Sequence, residues 1–167
     1  IVQTDDSFMP DINAIIAAVT PKTKAIVINS PNNPSGVVYS TETITRLADY
    51  LNKKQAEYGH DIFLISDEPY REILFEGVKC PYPSKYYTYT LSCYSFSKSL
   101  SLPGERIGYV LVPDEMEDSK DVYAAVCGAG RALGYVCAPS LFQSAIKQSL
   151  SFKADIVKYK NNRDRMY

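Results

Sequence analysis

Apolar residues follow two rhythms along the chain. Four short runs are apolar nearly throughout and rich in β-branched residues: 24–30 (KAIVINS), 62–66 (IFLIS), 90–94 and 107–112. Bounded by turn formers, each reads as a buried strand. Thr41–Tyr58 keeps the other rhythm, with Ile44, Leu47, Ala48 and Leu51 at helical spacing and Thr41 available as N-cap. Further helices are predicted over 11–19, 119–134, 139–150 and 152–167. Residues 31–36 hold two prolines, two asparagines and a glycine, which excludes regular structure there.

Buried strands alternating with helices predict an α/β fold: a three-layer α/β/α arrangement around a mostly parallel sheet covered on both faces. Ligands of such sheets sit beyond the carboxyl ends of the strands. Asn33, Asp67 and Lys98 each follow a predicted strand, so all three are expected to face one crevice.

Composition removes several function classes. The net charge is −1, with no run of five like charges, which argues against nucleic acid and anionic membrane as partners. No apolar stretch is long enough to span a bilayer. Four cysteines (Cys80, Cys93, Cys127, Cys137) form no C-x-x-C pair. They read as free thiols of a reducing compartment, and the expected location is cytoplasmic. With His60 as the sole histidine, a Ser-His-Asp triad or a His-based metal site is set aside. The 167 residues suffice for one domain, since domains run about 100–200 residues. The chain opens without methionine and closes inside a polar helical pattern, so it is read as a piece of a longer protein.

The residues past the strands suit one cofactor, pyridoxal 5'-phosphate (PLP). A PLP enzyme needs a lysine for the aldehyde, a carboxylate for the pyridine nitrogen, neutral partners for the ring oxygen, and hydroxyls with an arginine fork for the phosphate. Lys98, Asp67, Tyr70, Asn33, Ser95 and Arg106 are candidates for these places. Each has a plainer reading too. Lys98 alone is a solvated charge, Asp67 could cap a helix over 68–74, Asn33 could simply form a turn, and Arg106 could be an ion-pair partner. Arg131 could reach a substrate or a second subunit, or be structural.

Three segments in register carry a family resemblance. Ser30-Pro31-Asn32-Asn33-Pro34-Ser35-Gly36 resembles the asparagine–proline loop of class I and II aminotransferases. Ser66-Asp67-Glu68-Pro69-Tyr70 resembles their aspartate–tyrosine element. The stretch from Ser95-Phe96-Ser97-Lys98 through Pro103-Gly104-Glu105-Arg106-Ile107-Gly108 resembles their lysine signature and phosphate arginine. The family, of the aspartate aminotransferase type and fold type I, commonly has threonine where Ser35 stands.

The resemblance implies that Lys98 forms a Schiff base with PLP and then moves the substrate's α-proton. It implies that Asp67 pairs with the pyridine nitrogen, that Tyr70 and Asn33 bind the ring oxygen, and that Ser95 and Arg106, helped by Ser97, hold the phosphate. Residues 1–150 would then belong to the PLP-binding large domain, and 151–167 would open the helix leading to a small domain. The family's glycine-containing phosphate loop would lie before Ile1, and its substrate-carboxylate arginine after Tyr167. The implied reaction moves an amino group between an amino acid and a 2-oxo acid, in a homodimer. A PLP-dependent C–S β-lyase shares the first proton transfer. A PLP-sensing domain of a transcription regulator, or a fragment unable to hold cofactor, would share the motifs.

Overall fold

The computed structural model describes residues 1–75 and 77–166. Its centre is a four-stranded sheet in the order β1 (Ala25–Asn29), β2 (Phe63–Asp67), β3 (Thr90–Ser95), β4 (Gly108–Leu111). β1, β2 and β3 run parallel, with Asn29 opposite Asp67 and Asp67 opposite Cys93. β4 returns antiparallel to β3, pairing Ser95 with Gly108. The sheet is thus mostly parallel, as the apolar runs predict.

Helix α2 (Thr41–Tyr58) connects β1 to β2, and α1 (Ile12–Ala18) precedes β1. Their apolar stripes form the core with one face of the sheet: Leu51, Ile62 and Leu64 are 0% exposed, with Ile44, Leu47 and Ala48 beside them. Each fully buried side chain of this size stabilises the fold by about 1.5–3 kcal/mol. The cap of α2 differs from expectation by one residue. Ser40 stands outside the helix in an extended conformation and accepts a hydrogen bond from the Thr43 N–H at 3.1 Å. Thr41 already has helical backbone, so its hydroxyl is not the cap. At the other end Gly59 takes a left-handed φ of 67° and donates its N–H to Gln55.

The other face of the sheet is less covered. Val27 is 67% exposed on it, and Tyr109, Val110 and Leu111 of β4, whose side chains alternate between the two faces, are all exposed. Helices α4 (Ser119–Ala132), α5 (Ser140–Ser149) and α6 (Ile156–Met166) follow β4, and among their described residues only Ile146 is buried. The last predicted helix begins four residues later than expected, and Tyr167 lies outside the described residues.

The antiparallel return of β4 shapes the end of the sheet where the candidate residues lie. Parallel strands need a long crossover, whereas an antiparallel pair can be joined directly. The connection from Ser95 to Gly108 therefore stays at the carboxyl end of β3, where it forms the short helix α3 (Phe96–Ser99) and a turn at 103–106. Close approach of the strands there requires glycine: a Cβ on Gly108 would collide with the carbonyl oxygen of Tyr94.

Candidate functional site

Three segments meet beyond the carboxyl ends of β1, β2 and β3. The first is the loop after β1. Gly36 adopts φ 74° and donates its N–H to the Asn32 carbonyl at 2.9 Å, closing a turn. The Asn32 side-chain oxygen accepts from the Ser35 hydroxyl (2.7 Å) and N–H (3.2 Å). The Ser30–Pro31 and Asn33–Pro34 peptide bonds are cis. This loop presents Asn33 as an exposed side chain, and its Nδ2 donates to the Tyr70 hydroxyl at 3.1 Å.

Tyr70 comes from the second segment, after β2. Glu68 donates its N–H to Cys93 at 2.9 Å, continuing the strand pairing, and Ile73 N–H reaches Tyr70 at 2.9 Å. Residues 68–74 form turns and not a helix, so Asp67 is not a helix cap. Lys98, in α3, is the third contribution. Its amine lies 5.4 Å from the centre of the Tyr70 ring, within reach of a cation–π contact. Asn33, Tyr70 and Lys98, 65 positions apart at the extremes, thus touch in sequence order.

Asp67 is joined to this group through Asn29, which pattern reading passed over. Asn29 Nδ2 donates to the Asp67 carbonyl (3.0 Å) and to its Oδ2 (3.2 Å). Its Oδ1 accepts from the Asn33 N–H at 2.8 Å and from Asn32 Nδ2 at 3.2 Å. One amide therefore fixes both the carboxylate and the loop. The signal was present: Asn29 is the polar residue ending an otherwise apolar strand, where a half-buried amide needs partners.

Ser95 and Ser97 form a separate hydroxyl pair at the start of α3. Ser95 Oγ accepts the Ser97 N–H at 3.2 Å, and the two hydroxyl oxygens are 2.7 Å apart. Arg106 has a left-handed backbone, φ 52°, and its Nη1 donates to the Pro103 carbonyl at 2.8 Å within its own turn. Among the described residues no hydrogen bond joins Arg106 to Ser95 or Ser97. Its guanidinium is exposed, at the same end of the β3–β4 pair.

Burial raises the Asp67 pKa above the ordinary carboxyl value. The folded chain therefore binds a proton there more tightly than the unfolded chain does. That stabilising contribution is complete below the unfolded carboxyl's pKa and is lost as pH rises through the folded one. Asp67→Asn, whose amide oxygen can still accept from Asn29, is expected to stabilise the cofactor-free protein at neutral pH but not under strongly acid conditions. Urea unfolding of both forms across pH checks this, and an equal difference at every pH would refute it.

No helix of the described residues is long and apolar enough to cross a membrane. Among the described residues no group of His, Cys, Asp and Glu is arranged to hold a metal ion, and the four cysteines are free.

Comparison with known proteins agrees with the geometry. The family model "Aminotransferase class I and II" matches residues 1–167. The aspartate/prephenate aminotransferase of Thermus thermophilus is 38% identical over 112 residues, covering 67% of this chain and 28% of that protein. A probable aspartate aminotransferase of Methanocaldococcus jannaschii is 30% identical over 171 residues, covering 99% of this chain and 44% of its own. Among solved structures, an amino transferase from Eubacterium rectale superposes with a TM-score of 0.93 at 60% identity, over 98% of this chain and 41% of that one. Aspartate aminotransferase from Thermus thermophilus with maleate gives 0.73 at 31% identity, over 90% and 36%. The chain spans less than half the length of these relatives. With a matching family model over all its residues and the same α/β architecture in its structural neighbours, the chain belongs to the class I and II aminotransferase family.

Proposed function

We propose that residues 1–150 form part of the PLP-binding large domain of an aminotransferase, with 151–167 opening a helix toward a small domain. The observation that carries this reading is the contact of Asn33, Tyr70 and Lys98, brought from three strand ends, with Asp67 held beside them by Asn29.

The donor set fits the cofactor. Asp67 is a partly desolvated carboxylate that accepts a hydrogen bond from the neutral amide of Asn29, and a protonated pyridine nitrogen would supply the opposite charge that favours its ionised form. The amide of Asn33 and the hydroxyl of Tyr70 are the neutral groups for the ring oxygen. Ser95, Ser97 and the exposed guanidinium of Arg106 are the hydroxyls and the planar fork suited to phosphate.

PLP, when bound, supplies an electron sink that makes the substrate's α-hydrogen acidic. Lys98 contributes the amine for covalent attachment and, once free, the base that removes and returns that proton. Tyr70, beside the amine, limits where Lys98 can swing. Asp67 keeps a negative charge where the ring nitrogen needs it. The substrates are an amino acid and a 2-oxo acid, in a cytoplasmic homodimer. The relatives' names, aspartate/prephenate and aspartate aminotransferase, favour amino transfer over lyase chemistry or a regulatory role.

The test uses the full polypeptide that carries residues 1–167. Added PLP is expected to produce a visible absorption band, and borohydride reduction followed by peptide mapping is expected to find the label on Lys98. Amino-acid consumption should then depend on an added 2-oxo acid. Label on other lysines, or pyruvate release without an acceptor, would count against the assignment.

A further inference from the structure

Tyr94, in β3, has no place in the site described so far. Its phenolic oxygen lies 2.6 Å from Glu72 Oε2 and 2.6 Å from Ser99 Oγ. Glu72 is two residues beyond Tyr70, and Ser99 is the residue after Lys98. A phenol has one proton. The carboxylate can only accept, so the Tyr94 O–H donates to Glu72 and the Ser99 hydroxyl donates to the Tyr94 oxygen. The ring itself is clamped. It stacks on Tyr109 with centroids 5.2 Å apart and meets the edge of Phe96 at 5.2 Å.

The hydroxyl is thus a fixed point tied to both segments whose functional side chains touch. We infer that Tyr94 is a positioning residue, its hydroxyl bridging Glu72 and Ser99 so as to set the approach of the Lys98 amine to Tyr70. Burial, and then the bond to Glu72, push the Tyr94 pKa up, so the bridging proton stays in place through the neutral range. Both bonds are short, as expected where one partner is charged and the hydroxyls are well aligned. The consequence for catalysis rests on Lys98 being the PLP lysine. The bridge itself does not.

Tyr94→Phe removes the hydroxyl and keeps the clamped ring. Ser99→Ala removes one arm, and Glu72→Gln leaves an oxygen that still accepts. Two readouts apply to the full polypeptide. Without cofactor, acetic anhydride labelling of Lys98 is measured against the exposed Lys120 of α4. With PLP, the pH midpoint of the visible band is measured. Tyr94→Phe is expected to raise the Lys98-to-Lys120 labelling ratio about fivefold, the equilibrium effect of losing one ordinary hydrogen bond. It is also expected to move the band's midpoint by about half a pH unit or more. Ser99→Ala should move both in the same direction, and Glu72→Gln should stay near wild type. A lowered melting temperature with both readouts unchanged would reduce Tyr94 to a packing residue and overturn the inference. Wild-type protein that takes up no PLP at Lys98 would overturn the proposed function instead, while the labelling ratio would still judge the bridge.

Discussion

Lys98→Ala is expected to abolish covalent capture of PLP by the full polypeptide and to lower amino transfer by about a thousandfold or more. A positioned acid–base group contributes about 10²–10⁴ in rate, and here the same amine also provides the covalent attachment. Fold stability should barely change, because Lys98 is exposed and its amine lies over the Tyr70 ring without a buried partner. Exposed substitutions of this kind stay within about 0.5 kcal/mol. The activity loss therefore cannot be attributed to unfolding. Lys98→Arg sharpens the test. The guanidinium keeps the charge over Tyr70 but stays protonated, so it neither attaches PLP nor accepts a proton. Both variants should be equally inactive in borohydride trapping. In Lys98→Ala a small primary amine in solution should restore part of the proton transfer, because the space left can admit it. Turnover within tenfold of wild type in either variant, measured by single-turnover absorbance with an amino acid, would remove Lys98 from the mechanism and the proposed function with it.

How much of this could be read from residue order depends on which physical cause fixes each feature. The strands and α2 were legible because length and side-chain type select them: KAIVINS and IFLIS are short, bounded runs with β-branched residues, and Ile44, Leu47, Ala48 and Leu51 define one buried stripe. The N-cap was ambiguous because Ser40 and Thr41 have the same capping chemistry, and only the extended backbone at Ser40 (φ −73°, ψ 160°) decides. Residues 68–74 could read as a helix because nothing local forbids one. Glu68 is drawn inward by Ser66, Ser92 and Arg71, and those partners are visible only after folding. The motifs pointed to the candidate site, and the strand-end rule pointed Asn33, Asp67 and Lys98 to one crevice, where Tyr70 links Asn33 to Lys98. What order could not reveal was side-chain direction. Arg106 turns to Pro103, and Asn29 and Tyr94 act through contacts with other segments.

The largest stability effect is expected at the Glu68–Arg71 pair, in the turn that carries Tyr70. The two side chains are 3% and 7% exposed, and Arg71 Nη2 is 2.6 Å from Glu68 Oε2. Every other polar atom of the pair is also used. Ser66 Oγ donates to Glu68 Oε1 at 2.6 Å, and the Arg71 Nη1 and Nη2 groups donate to the Cys80 and Pro81 carbonyls at 3.1 Å each. The guanidinium also lies 3.6 Å above the Tyr82 ring. Arg71→Met keeps the length and loses the cation. It leaves a buried carboxylate without a counter-charge and two carbonyls without donors, a change that costs about 3–5 kcal/mol. Glu68→Gln in the same chain removes the stranded charge while keeping an oxygen for Ser66. The double variant should therefore recover a large part of the loss. Urea midpoints of the single and the double variant measure the cost and the recovery. A single-variant cost below about 1 kcal/mol would mean that water already reaches the pair, since that is the range of exposed ion pairs. In that event the turn carrying Tyr70 would be held by its backbone bonds to Cys93 and Glu68 and not by the buried charges.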